Sequence, residues 1–91
     1  MKNNEIMDCL IYADQRLQEG YYQIVAQGYC EYCQPLLEFM PVDFTPTIIN
    51  LFELIKTSEK SHLEKVCALE ILSPDLSKIA KELGYLDKEG R

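Results

Sequence analysis

Two thiols three residues apart, Cys30 and Cys33, are the first side chains in this chain whose spacing suits chemistry. Such a pair can chelate a soft metal or cycle through a disulfide. Redox pairs sit at a helix N-terminus, where the backbone N–H groups favour the thiolate, whereas these two fall inside a helical pattern beside the anionic Glu31. A tetrahedral zinc needs two further ligands, and the candidates, Cys9, His62 and Cys67, are scattered singles. The cysteines are therefore expected to act as small buried hydrophobes, with no metal and no cofactor. The alternative, a small zinc-binding domain, predicts stoichiometric zinc and loss of helicity with a chelator.

His62 is the only histidine, and Glu59 three residues before it makes an acid-x-x-His pair at helical spacing. A di-iron bundle needs two such pairs and two more carboxylates, so half of that ligand set is missing. Glu31 and Glu38 lie seven apart on one face; two carboxylates turn catalytic when a shared pocket splits their affinities for protons, and without such a pocket they form a solvated edge. The four glycines, at 20, 28, 84 and 90, stand alone, so no phosphate-cradling loop is present, and there is no nucleophile elbow. The expectation is a protein that is not an enzyme.

A different constellation dominates the middle of the chain. From Leu17 to Ile55 there is no Lys, Arg or His, yet the stretch holds seven of the nine Tyr and Phe residues and five of the fifteen acids. Of the net charge of −6, this stretch contributes −5 and everything else −1. A long segment without cations is either buried or reserved for a partner, since ordinary surfaces intersperse both signs. Its negative field repels phosphate backbones and anionic lipid, which argues against nucleic acid and membrane partners and favours a protein, above all a basic one. Within it, Tyr21, Tyr22, Val25, Tyr29 and Tyr32 recur near one face. Tyrosine suits surfaces that are apolar in body and wet at the tip, so these five residues are the candidate interaction site.

The elements that must carry these residues are helical. Ile6, Leu10, Ala13 and Leu17 trace one stripe of a first helix, for which Asn3 or Asn4 is the expected cap. Gly20 is read as its end, although the stripe continues through Leu17, Tyr21, Ile24 and Gly28 and one internal glycine costs only about 1 kcal/mol. An unbroken rod into the Cys30 region is too long for a lone small globule but natural in a dimer. A second helical segment runs from Tyr21 toward Phe39, kinked or restarted at Pro35 and ended by Met40 and Pro41. Thr45 and Pro46 read as the N-cap and first residue of a central helix reaching Lys56. Ser61 with Glu64 forms a capping box that opens a helix with Leu63, Val66, Cys67 and Glu70 or Ile71 inward. Ser73, Pro74 and Asp75 start a last helix with Leu76, Ile79, Ala80 and Leu83 inward, closed by Gly84 with Tyr85 packing back. Residues 86 to 91 are expected to fray.

The sum is an all-α domain, a small bundle of four to five helices spanning residues 1 to 91. A domain of this size buries only about 60 to 65% of its unfolded surface, which makes shared burial in a homo-oligomer attractive. No apolar run reaches the eighteen residues of a membrane span, and Met1 to Glu5 shows no leader pattern, so a cytoplasmic location is expected, with the thiols reduced. Two short tracts resemble known motifs. Asp75 to Tyr85 resembles the first helix and turn of a helix-turn-helix DNA-binding motif, which implies a basic recognition helix next; the chain supplies Leu86, Asp87, Lys88, Glu89, Gly90 and Arg91. Leu17, Gly20, Tyr22 and Val25 resemble the turn of a tetratricopeptide repeat, a fold that needs several units to close a core. The leading expectation is a non-catalytic protein-interaction module, self-associating through segment 21 to 39, with a DNA-binding regulator as the competing class.

Overall fold

A computed structural model of the chain describes residues 2–28, 34–41 and 43–87. Among these are five helices and no strand: α1 (Asn3–Gln27), α2 (Gln34–Leu37), α3 (Ile48–Thr57), α4 (His62–Leu72) and α5 (Leu76–Glu82). The all-α expectation therefore holds.

The helix starting at Asn3 does not break at Gly20. It runs 25 residues to Gln27, and Gly20 is buried within it. The expected cost of one glycine is about 1 kcal/mol, less than the gain from keeping Leu17 and Ile24 in register against the core. The stop is Gly28 instead: its φ of 86° is the left-handed conformation, and its N–H donates to Ile24 O at 2.8 Å. The expected second helix from Tyr21 toward Phe39 is thus replaced by the end of α1 and the short α2, where Pro35 sits in the first turn, the place a proline is tolerated. The cap also differs. Lys2 holds the N-cap position, Glu5 Oε2 accepts from its backbone N–H at 3.4 Å, and Asn4 Oδ1 accepts from Glu5 N at 3.0 Å.

The start of α3 lies two residues beyond the Thr45–Pro46 signal. Thr47 is the N-cap, with its Oγ1 accepting from Asn50 N at 3.2 Å. Asp14 on α1 supplies a second cap from outside, its Oδ1 accepting from Ile48 N at 2.8 Å. That bond pins α3 to α1 and accounts for the shifted boundary. The capping box at Ser61 forms as read: Ser61 Oγ accepts from Glu64 N at 3.2 Å. So does the last turn, where Gly84 has φ 88°, Tyr85 N donates to Ala80 O at 2.8 Å and Gly84 N to Lys81 O at 3.2 Å, the two bonds of a Schellman motif. Tyr85 then stacks on Phe52, with ring centroids 4.8 Å apart, and Leu86 is buried where fraying was expected.

The core joins Ala13 and Leu17 of α1, Leu36 of α2, Phe39 and Phe44 of the segment that follows it, Leu51, Phe52 and Ile55 of α3, Ala68, Leu69 and Leu72 of α4, and Leu76 and Ala80 of α5. α3 is not the central element: α1 lies against α3, α4 and α5, and α4 against α1, α2 and α5. On α4 the inward stripe is Ala68, Leu69 and Leu72; Leu63 is 70% exposed and Cys67 is exposed, against expectation. α4 carries apolar residues on more than one side, and its packing against α1, α2 and α5 chooses among them. Leu83, the C-cap of α5, is likewise exposed.

Candidate functional site

Of the five candidate interaction residues, Tyr21, Tyr22 and Val25 lie near the C-terminal end of α1. Tyr22 and Val25 stand on its outer side with 65% and 69% of their surface exposed. Tyr21 turns partly inward, its ring 6.1 Å from Phe44 and 6.3 Å from Tyr22. Tyr29 and Tyr32 lie outside the described residues, so the structure brings together three of the five candidates. Beside them is a hollow of about 270 Å³ lined by Tyr21, Ile24, Val25, Met40, Pro41 and Phe44. Apolar walls on one side of a helix beside the exposed Tyr22 suit the packing of a protein side chain.

The same helix carries a second apolar region that spacing had not singled out. Met7 and Ile11 are 58% and 54% exposed, and with Ile49 of α3, 49% exposed, they rim a hollow of about 580 Å³. The signal was present in the sequence as a four-residue step from Met7 to Ile11. It reads as part of the tyrosine face only when α1 is continuous.

The residues with chemical potential are dispersed. Cys9 is half-buried, its Sγ 3.2 Å from Ser73 Oγ, and Cys67 is exposed; both are free thiols. Cys30, Cys33 and Glu31 lie outside the described residues. No group of three or more His, Cys, Asp or Glu side chains converges among the described residues, so Cys9, His62 and Cys67 are not brought to one point. His62 stands at the first position of α4, its Nδ1 buried without a hydrogen-bond partner, beside a hollow of about 300 Å³ shared with Lys56, Lys65 and Tyr85. Glu38, in the stretch without cations, receives one from outside it: Lys60 Nζ is 3.3 Å from Glu38 Oε2 and 3.7 Å from Glu64 Oε2. Beyond α5, Tyr85 and Leu86 pack back onto the core, and residues 88–91 lie outside the described set. None of the helices described is long and apolar enough to cross a membrane.

Comparison with protein-family models, curated proteins and solved structures finds no match to this chain.

Proposed function

We propose that the chain is a non-catalytic protein-interaction module that makes its contact through the outer face of α1, at Tyr21, Tyr22 and Val25. The observation that carries this reading is the exposure of Tyr22 and Val25, 65% and 69%, next to an apolar hollow on a surface stretch without cations. Large apolar side chains adjoining one another on the outside of a small domain mark contact sites more often than isolated ones do. We place the contact in the cytoplasm, where an exposed thiol such as Cys67 stays reduced.

A photo-crosslinking side chain at Val25, in the protein expressed in its own cell, tests the reading. The expected result is a discrete protein adduct from position 25 and none from position 78, where Lys78 is exposed on α5. Equal adducts from both positions, or none from either, would remove the face from consideration.

A further inference from the structure

The occupant of this face follows from the order of side chains along α1. At about 100° per residue, steps of four and three alternate along one edge of a helix and form the seam of a coiled coil. Met7, Ile11, Asp14, Gln18, Tyr21 and Val25 take those steps without interruption over the continuous helix. The seam has apolar ends and a polar centre. It matches a reversed copy of itself: Met7 falls opposite Val25, Ile11 opposite Tyr21, and Asp14 opposite Gln18.

Charge selects the same orientation. On this edge the carboxylates, Asp8 and Asp14, lie toward the N-terminus, and the donors, Gln18 and the Tyr22 hydroxyl, lie toward the C-terminus. Reversal sets Asp8 across from the Tyr22 hydroxyl and brings the Asp14–Gln18 pairs, each already bonded within its own chain at 3.1 Å, together at the axis, whereas a parallel pairing would set Asp14 against Asp14 and Asp8 beside Asp8. A cationic partner finds less here. Both oxygens of Asp14 already accept bonds, Oδ1 from Ile48 N at 2.8 Å and Oδ2 from Gln18 Nε2 at 3.1 Å, which leaves Asp8 as the available acid on the edge.

Shape agrees. The hollow beside Met7, Leu10, Ile11 and Ile49 lies where the reversed copy brings Val25 and Tyr22, and the hollow beside Tyr21, Ile24, Met40 and Phe44 lies where it brings Met7 and Ile11. A stable dimer covers about 800 Å² on each copy, and contact along the full length of α1, about 37 Å, together with the two hollows that flank it, approaches that area. Resting on the reading of α1 as a contact face, we infer that its partner is a second copy of this chain, packed α1 against α1, antiparallel, about a two-fold axis level with residues 14 to 18.

Sedimentation equilibrium on the full chain is the test. The expected species at high micromolar concentration has twice the 10.6 kDa chain mass. Met7→Glu and Val25→Lys are each expected to weaken association about tenfold or more, while circular dichroism stays unchanged because both positions are exposed. Mixing the two variants should restore the dimer, because only the antiparallel register brings position 7 against position 25. Added salt should tighten it by screening two copies that each carry −6. A strict monomer, a mixture that fails to recover, or a dimer that salt loosens would each overturn the inference. A crosslink from position 25 to a protein of another mass, with a monomer in the centrifuge, would overturn the second copy and leave the contact face standing. No adduct at all would remove both.

Discussion

Asp14 shows how one side chain can join two elements. Its carboxylate sits on α1 but completes the N-terminus of α3, accepting from Ile48 N at 2.8 Å where a helix start otherwise leaves a donor without an intrahelical partner. Asp14→Ala should destabilise the fold by about 1 kcal/mol, as loss of an N-cap does, and Asp14→Asn by less, because its amide oxygen still accepts. Urea unfolding midpoints check both. Lys60 is a contrasting case. It contacts Glu38 and Glu64 and lies 6.0 Å from the Phe39 ring centroid, but the two acid side chains are 58% and 51% exposed. Solvent-exposed ion pairs contribute at most about 1 kcal/mol, so Lys60 acts more by supplying charge to a cation-free stretch than by holding the fold.

At the scale of the helices, punctuation written in adjacent residues was legible and punctuation supplied from elsewhere was not. Ser61 with Glu64, and Gly84 before Tyr85, act within one turn of their own helices, and both form as read. Thr45 with Pro46 misled because the donor at Ile48 is satisfied by a residue 34 positions earlier. Gly20 misled more seriously. Reading a break there assigned Met7 and Ile11 to one helix and Tyr22 and Val25 to another, so their common edge was invisible. The physical cause is an imbalance of terms: a glycine's local preference is about 1 kcal/mol, while a misplaced Ile24 would forfeit more than that in burial. Gly84 is the converse, a glycine that must be one. Gly84→Ala meets no neighbouring atom within 4 Å, so its cost comes from the φ of 88° alone. About 1 to 2 kcal/mol is expected, read as a lowered thermal midpoint.

For the molecule as a whole, the described residues of the middle stretch divide their aromatic side chains by type. Phe39, Phe44 and Phe52 are buried, Tyr21 is half-buried and Tyr22 is exposed. The phenolic oxygen explains the division, since a ring with a polar tip is costly to bury without a partner and a plain ring is not. Phe52 has no exposed surface and supports Tyr85, so Phe52→Ala should cost about 3 to 5 kcal/mol, enough to unfold much of a domain this small. A Tyr22→Ala chain should keep nearly its full stability. Denaturant titration separates the two.

α1 extends about 37 Å, matching the longest dimension of the described residues, 36 Å, so a single rod passes from end to end with the remaining helices gathered along one flank. The bond between Asp14 and the Ile48 amide is where that flank is fastened to the rod. The exchange of this one proton with deuterated solvent is consequently a gauge of docking: it is retained while the two helices stay clasped and released when they part, even if each keeps its own coil.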